Sequence, residues 1–339
     1  MARAAHTRSV LVVIPTLNEA DGIEPLIRSL AEDPPPNARL SFMVVDGGST
    51  DGTPQAVRRL AASRTALNLL HNPARIQSAA VNLGARMASP EVDVLVRCDA
   101  HASYPRGFVR RLLETLDRTG ADAVAVVMDS TGGRTCLQRA VGWASDTALG
   151  SGGSAHRGGR RSGFVDHGHH AAFRLASFKA CGGYDESFTH NEDAEFDCRL
   201  RRLGARIYLD AEIRIGYRPR ASFDALEQQY FRYGRGRSRT VRRHRGSLRA
   251  RQLAVPAHFA ASGVALGLAP WWPQLLAWPL LYVLVLAWAS LEAAWRHRSA
   301  CGLLCGAAAA VMHFAWAVGF FSGLLTIREP RWQRAATTR

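Results

Sequence analysis

Five short apolar runs, Ser9–Ile14, Ser41–Val45, Leu67–His71, Val92–Val96 and Ala123–Met128, alternate with stretches of helical periodicity in the N-terminal part of the chain. Strands that alternate with helices join side by side through crossovers. The pattern therefore specifies an α/β domain built on a mostly parallel, Rossmann-like sheet covered by helices. Thr53-Pro54 reads as a helix start, with a capping hydroxyl and proline at the first helical position, and that helix runs to about Ala62. At 339 residues the chain has room for one such domain, typically roughly 100–250 residues, and a smaller part beside it.

The formal net charge is +15, and Lys179 is the only lysine, so nearly all of the excess is arginine. Fixed positive charge of this size points to an anionic partner: a phosphate-bearing substrate, lipid headgroups or nucleic acid. Neither aromatic-basic interleaving nor a recognition motif extends over the chain, so nucleic acid is not expected as a partner. The 6 cysteines contain no C-x-x-C pair and read as reduced thiols, neither a disulfide framework nor a zinc site. Val10 to Ile14 is too short for a signal-peptide core and ends at Pro15. It reads as a strand, which leaves the catalytic part in the cytoplasm.

Gly150 to Gly163 is glycine, serine and arginine with almost no apolar residue, and reads as a mobile loop, either a linker or a lid over substrate. After Asn191, Phe196, Leu200 and Leu203 mark one helical face, Gly204 a stop, and Glu192, Asp193 and Glu195 the first turn. From Gln228 to Arg251 there are nine arginines and no acidic residue. The composition then changes to Ala, Leu, Trp and Val. Leu253–Ala269, Gln274–Leu291 and Cys301–Ile327 are candidate membrane helices, with Trp271, Trp272, Trp278, Trp288 and Trp295 near segment ends. The alternative is a buried helical hairpin of a soluble protein. The arginine block argues for a cytoplasmic start, while Arg296-His297-Arg298 and the Arg-rich tail compete for the same side. The expected division is a catalytic domain over 1–250, a membrane-associated helical segment over 251–328 and a basic tail over 329–339.

The chemistry sits where strands end. The first strand runs into Ile14-Pro15-Thr16-Leu17-Asn18-Glu19, the second into Val45-Asp46-Gly47-Gly48-Ser49-Thr50-Asp51-Gly52-Thr53 and the fourth into Asp99-Ala100-His101. Ligands of open parallel sheets bind at the carboxyl ends of the strands, so these segments face one crevice. Alone, Asp46 to Gly52 would be a turn made of turn formers. Loss of a nucleotide diphosphate from a sugar leaves an anion that a divalent metal on Asp99 and His101 would stabilise. Asp193, in Asn191-Glu192-Asp193, is a candidate base for an acceptor hydroxyl, although acidic first turns also suit the helix dipole. Gln229-Tyr230-Phe231-Arg232-Tyr233 and Gly234-Arg235-Gly236-Arg237 offer aromatic faces and guanidinium groups to a diphosphate, an acceptor sugar or anionic lipid.

Taken in order, these segments resemble the family-two inverting glycosyltransferases, whose nucleotide-sugar domain has the glycosyltransferase-A type of fold. The resemblance covers about residues 9–240. It implies that Pro15, Thr16, Asn18, Glu19, Asp46 and Asp99 bind the nucleotide sugar, and that Asp193 is the base. It also implies that Glu192, Gln229, Arg232, Tyr233 and Arg235 meet the acceptor or diphosphate, and that Asp99 and His101 hold manganese or magnesium. Gly182-Gly183-Tyr184-Asp185-Glu186 looks like the family's segment before the base. His101 stands in place of the usual last Asp of D-x-D, and Tyr233 in place of Trp in Q-x-x-R-W. Arg97 to Ala102 with Tyr104-Pro105, together with the C-terminal apolar segments, looks most like the succinoglycan-type exopolysaccharide glucosyltransferases. That likeness implies a UDP-sugar donor, a hexose such as glucose, and a lipid-linked saccharide acceptor at the cytoplasmic membrane face. Two alternatives remain: a polyprenyl-phosphate sugar synthase, and an inactive basic module that binds membrane or nucleic acid.

Overall fold

The structure, a computed structural model, describes residues 7–63, 66–131 and 133–330. The basic tail expected over 329–339 therefore lies outside the described residues beyond Pro330. The chain opens with β1 (Arg8–Thr16), α1 (Ala20–Ala31), β2 (Ala38–Asp46), α2 (Thr53–Ala62), β3 (Leu67–His71), α3 (Gln77–Met87) and β4 (Val92–Arg97). Next come α4 (Phe108–Thr119), β5 (Ala123–Ser130), α5 (Cys136–Ser145), α6 (Ala148–Ser151), β6 (Gly163–Val165), β7 (His169–Arg174) and α7 (Leu175–Ala180). The remainder is α8 (Glu192–Arg202), β8 (Ile207–Tyr217), α9 (Phe223–Arg243), α10 (Ala250–Leu268), α11 (Ala277–Arg296) and α12 (Cys305–Thr326). Two compact units result: one of residues up to Asp129 with Gly158–Tyr217, the other of Ser130–Arg157 with Arg218 onward. Helix α9, expected inside a domain ending at residue 250, belongs to the second unit.

The first unit is an eight-stranded sheet in the order β3-β2-β1-β4-β7-β5-β8-β6. Strands β1 to β4 are mutually parallel, while β7 runs antiparallel to β4 and β5, and β6 antiparallel to β8. The five expected strands are all present. Their continuous apolar runs follow from burial on both faces. Val10, Val12 and Ile14 of β1 pack with α1, α2 and α4 through Ile27, Val57 and Leu112, whereas Leu11 and Val13 pack with α3, α7 and α8 through Val81, Phe178 and Phe196. A Cβ on Gly84 would lie 2.5 Å from Val13 Cγ2, so glycine is what lets α3 approach β1. The chain leaves β1 for β2 and β3 on one side and returns to place β4 on the other. That reversal is a topological switch point, and it opens a crevice above the ends of β1 and β4.

Local details depart from expectation in two places. Helix α2 begins at Thr53 behind Gly52, whose φ of 94° is in the left-handed region, and Thr53 makes no capping hydrogen bond. Its hydroxyl instead ties two loops together, as described below. Phe196 and Leu200 are buried as expected, but Leu203 is 37% exposed, because α8 has already ended at Arg202.

In the second unit α9 and α12 lie against each other at glycines: a Cβ on Gly234 would meet the Trp316 carbonyl at 2.1 Å, and one on Gly319 the Phe231 carbonyl at 2.1 Å. Much of the arginine block is engaged internally. Arg239 and Arg243 pair with the buried Glu329, Arg237 donates to Ser247 O and Gln252 Oε1, and Arg242 to Gly323 O. Cys136 and Cys301 form a disulfide across 4.9 Å between Cα atoms, which corrects the expectation that all six cysteines are free thiols. They are 165 residues apart, so no local spacing announces the bond. Pro273–Arg296 and Ala300–Thr326 are long and apolar enough to cross a membrane, with mean hydropathy 1.7 and 1.8. The expected first span, Leu253–Ala269, falls on α10 and is not among the stretches that qualify. Only 11% of the first qualifying stretch is buried, so Leu281, Leu284, Trp288 and Trp295 present apolar surface that a bilayer satisfies.

Candidate active site

The two N-terminal loops are built as a pair. Asp46, 5% exposed at the end of β2, accepts hydrogen bonds at Oδ2 from the amides of Gly48 (2.9 Å) and Ser49 (3.0 Å). Ser49 Oγ in turn accepts from Asn18 N, and Asn18 Oδ1 accepts from Thr50 N. Asp51 accepts from Ala20 N and from the Thr53 hydroxyl, while Thr53 Oγ1 accepts from Glu19 N. The Thr53 hydroxyl and the Ala20 amide hold the Asp51 carboxyl below its ordinary range. Asn18 itself, at φ 55°, is one of few non-glycine residues in the left-handed region, a conformation asparagine tolerates.

These loops and the end of β4 surround a cavity of about 260 Å³ whose lining includes Pro15, Thr16, Glu19, Gly47, Arg75, Gln77, Asp99 and His101. The pairing Thr16↔Asp46 ends β1 and β2 level, whereas Val13↔Arg97 ends β4 three residues short of β1, so the segment of Asp99 and His101 continues past it as a loop beside the end of β1. Of the expected donor residues, Pro15, Thr16, Glu19 and Asp99 reach the cavity surface; Asn18 and Asp46 do not line it and instead build its walls. Arg75 does line it, at φ 58°, on a turn fixed by Asn72, whose Nδ2 donates to Ile76 O at 2.9 Å. Nothing in the local sequence distinguished this arginine from the other arginines of an arginine-rich chain.

Asp99 is tightly held. Its Oδ1 accepts from Gln77 Nε2 and, at 3.3 Å, from Arg97 Nε, and its backbone amide donates to the Tyr104 hydroxyl. His169 Nε2 lies 3.9 Å from Asp99 Oδ2. Burial alone would raise the Asp99 carboxyl, but Arg97, His169 and His101 bring it net below its ordinary value. His101 is more open, 58% exposed, with Nδ1 3.7 Å from Glu19 Oε1. Among the described residues no three His, Cys, Asp or Glu side chains are gathered as a metal cage.

Arg97 is buried and joins Asp99 to the next carboxylate pair: its Nη1 lies 3.8 Å from Glu192 Oε1 and 3.3 Å from the Tyr184 hydroxyl. Glu192 and Asp193 open α8 behind Asn191, at φ 68°. Burial, then the neighbouring Asp193, pushes the Glu192 carboxyl up to about 7. Burial would raise Asp193 too, but His167 first and then Arg97 hold it net below its ordinary value. The adjacent acids are thus driven apart, leaving Asp193 the ionised one near neutral pH. Gln229, Arg232, Tyr233 and Arg235 lie on α9 of the other unit, where Gln229 Nε2 donates to the Tyr233 hydroxyl at 2.9 Å and Arg232 is exposed. Sequence reasoning missed Gln77, His167, His169 and Asp197; the cluster His167-Gly168-His169-His170 was the signal available.

Comparison with known proteins fits this arrangement. Residues 11–182 match the family model described as glycosyl transferase family 2. The chain is 44% identical over 330 residues to the succinoglycan biosynthesis protein ExoA of Rhizobium meliloti, covering 95% of this chain and 96% of that protein. It is 29% identical over 133 residues to the glycosyltransferase AglE of Haloferax volcanii, covering 38% of this chain and 43% of that one. Among solved structures, the mannosyltransferase PcManGT of Pyrobaculum calidifontis, in complex with GDP-Man and Mn2+, superposes with a TM-score of 0.60 at 22% identity, over 91% of this chain and 87% of that one.

Proposed function

The chain belongs to glycosyl transferase family 2, and from that premise we propose that it transfers a hexose, with inversion at the anomeric carbon, from a nucleoside diphosphate sugar to a lipid-linked saccharide during exopolysaccharide or other cell-surface glycan assembly. That it is a glycosyltransferase follows from the family. The finer reading is carried by one observation: the ends of β1 and β4 bring Pro15, Thr16, Glu19, Asp99 and His101 to the wall of one cavity at the switch point of the sheet. The donor is a UDP-sugar in this reading, with glucose the leading hexose.

Asp99 and His101 would hold a divalent cation, since a carboxylate and an imidazole can serve when diphosphate oxygens and water complete the shell. The imidazole disfavours magnesium, a hard ion that prefers oxygen, so manganese is the better fit. Bound there, the ion would neutralise charge on the departing diphosphate. Asp193 takes the proton of the attacking acceptor hydroxyl, for which an ionised carboxylate is required. Arg97 keeps Asp99 and Asp193 ionised at once. Gln229, Arg232, Tyr233 and Arg235 serve the acceptor diphosphate, and Glu192 supports the base. The apolar helices hold the enzyme on the cytoplasmic membrane with the catalytic unit on the cytoplasmic side, where the lipid carrier is within reach. The organisation proposed is a catalytic part over 1–250 followed by the membrane-associated helices.

The test is nucleoside diphosphate release by the full-length protein from a panel of UDP-, GDP- and ADP-hexoses with bacterial lipid extract, with manganese, magnesium or chelator. Acceptor-dependent release from one UDP-hexose with manganese is the expected result. Release from none of the donors would favour a binding module without activity. An Asp193→Asn variant that keeps most of its rate would favour transfer to a polyprenyl phosphate, an acceptor that is already anionic and needs no strong base.

A further inference from the structure

Behind Asp193 lies a group of side chains that the reading so far leaves without a task. Asp197 sits one turn further along α8, on the same face as Asp193. It is 1% exposed and has a histidine on each oxygen: His170 Nε2 lies 2.7 Å from Oδ1, and His167 Nδ1 lies 2.7 Å from Oδ2. The two histidines are not equivalent. His170, in β7, is completely buried, between Phe173 and Phe196, whereas 36% of the His167 side chain is exposed. His170 thus backs the carboxylate from the core, and of the two histidines His167 is the one that reaches water.

A carboxylate on Nδ1 fixes that nitrogen as the donor and leaves Nε2 as the ring position that can take or release a proton. We propose that Asp197 and His167 form a proton relay for Asp193: His167, held through Nδ1 by Asp197, accepts at Nε2 the proton that Asp193 has removed from the acceptor hydroxyl, and hands it to water. The protons balance. As the acceptor oxygen bonds to the anomeric carbon and the bond to the diphosphate breaks, the hydroxyl proton goes to Asp193, then to His167, then to solvent, and Asp193 returns to its carboxylate form for the next turnover. The proposal rests on Asp193 being the base. His167 is a positioning and relay residue and touches no substrate in this scheme.

The electrostatics agree with this placement. Among the charges on Asp193, protonated His167, the state the relay produces from the neutral ring, is the one that lowers its carboxyl most, ahead of Arg97, while Asp197 raises it and His170 lowers it. Asp197 would be raised by burial, but His170 and His167 hold it net below its ordinary value. The charged groups acting together here are therefore Asp193 and Asp197 from α8, His167, His170 from β7, and Arg97 at the end of β4. The adjacent Asp166 is engaged by Arg201 Nη2 at 2.8 Å.

The experiment compares wild-type full-length protein with His167→Ala, Asp197→Asn and Asp193→Asn, measuring kcat, KM for UDP-glucose, the pH profile of kcat and the effect of added imidazole, all with bacterial lipid extract as acceptor source. His167→Ala is expected to lower kcat by roughly 100-fold, at the low end of what positioned proton transfer contributes, with KM for the donor unchanged. Added imidazole should restore at least a tenth of the lost rate, and more at higher pH, where more of it is neutral. A kcat for His167→Ala within twofold of wild type, or a loss that neither imidazole nor pH relieves, overturns the relay. If Asp197→Asn, which alters a buried group, fails to fold, the half-exposed His167 and its imidazole arm still decide. Asp193→Asn separates the two readings: its retaining activity removes the base itself, whereas an inactive Asp193→Asn beside an unaffected His167→Ala removes only the relay.

Discussion

The Arg97 guanidinium lies 3.3 Å from Asp99 Oδ1, with side chains that are 5% and 15% exposed. The same group reaches Glu192 at 3.8 Å and the Tyr184 hydroxyl at 3.3 Å, so one planar cation serves both the donor carboxylate and the acids of α8. A lysine cannot reproduce that fork.

Arg97→Met should therefore be costly in two ways. Removing one partner of a buried pair leaves the remaining charge uncompensated, which typically costs about 3–5 kcal/mol. Without Arg97, Asp99 and Asp193 would also lose a positive charge that keeps them ionised. Thermal unfolding should shift downward, and nucleoside diphosphate release should fall at least tenfold in the fraction that remains folded. Arg97→Lys should recover stability in part and activity little. Full activity in Arg97→Lys would show that only the charge, not the fork, matters.

Glu192 sets the pH dependence of stability in this site. Its folded carboxyl is raised to about 7 from 4.5, with burial the leading cause. A carboxyl raised by folding is a stabilising contribution while protonated in both states, below its unfolded value, and that contribution disappears as pH climbs through the folded value. The protein should accordingly lose stability between about pH 5 and 8 on account of this group. Glu192→Gln, which mimics the protonated form, should flatten that slope and gain on wild type toward pH 8. Melting temperatures at pH 5, 6, 7 and 8 for the two proteins check this; parallel curves would contradict it.

If Asp99 and His101 hold the cation as proposed, His101 sets which cation is preferred. Substituting His101→Asp would present two carboxylates to the cavity in place of a carboxylate and an imidazole, a more oxygen-rich donor set. The ratio of magnesium- to manganese-supported rate should rise, by on the order of tenfold, because hard cations prefer oxygen. His101→Ala should lose rate with both ions. An unchanged ratio in His101→Asp would place the cation elsewhere or nowhere.

What could be read in the sequence tracks how local each signal is. Strands β1 to β5 announced themselves because burial on both faces demands unbroken apolar runs, such as Val10 to Ile14. Strands β6 to β8 did not. Phe164 of β6 is 53% exposed, β7 begins with two histidines, and β8 interleaves Asp210, Glu212 and Arg214 among its buried residues. Asp46 and Asp99 were visible from strand ends and Asp193 from the first turn of α8, while Asp197 was not seen, and most partners of these carboxylates arrive from other elements. Gln77 comes from α3 to Asp99, His167 and His170 come to Asp197, and Arg97 comes to Glu192. Asp46 shows the limit most clearly: its motif is legible, yet only the structure shows its Oδ2 accepting from the Gly48 and Ser49 amides of its own loop.

The Cys136 to Cys301 bond gives the last prediction, since it ties α5 to the turn before α12 within the second unit. Alkylation of the denatured protein without reductant should label Cys98, Cys181, Cys198 and Cys305 only, and reduction should add the remaining two. Because the bond closes a long loop, its loss should destabilise the second unit by about 2–4 kcal/mol. Cys136→Ser and Cys301→Ser should lower the unfolding temperature equally, and the double variant no further, since either change alone already breaks the bond. Their effect on KM for the donor should be small, because the cavity of Pro15, Asp99 and His101 lies wholly in the other unit. Labelling of all six cysteines before reduction would show that the thiols are free in solution and remove the bond from the account of stability.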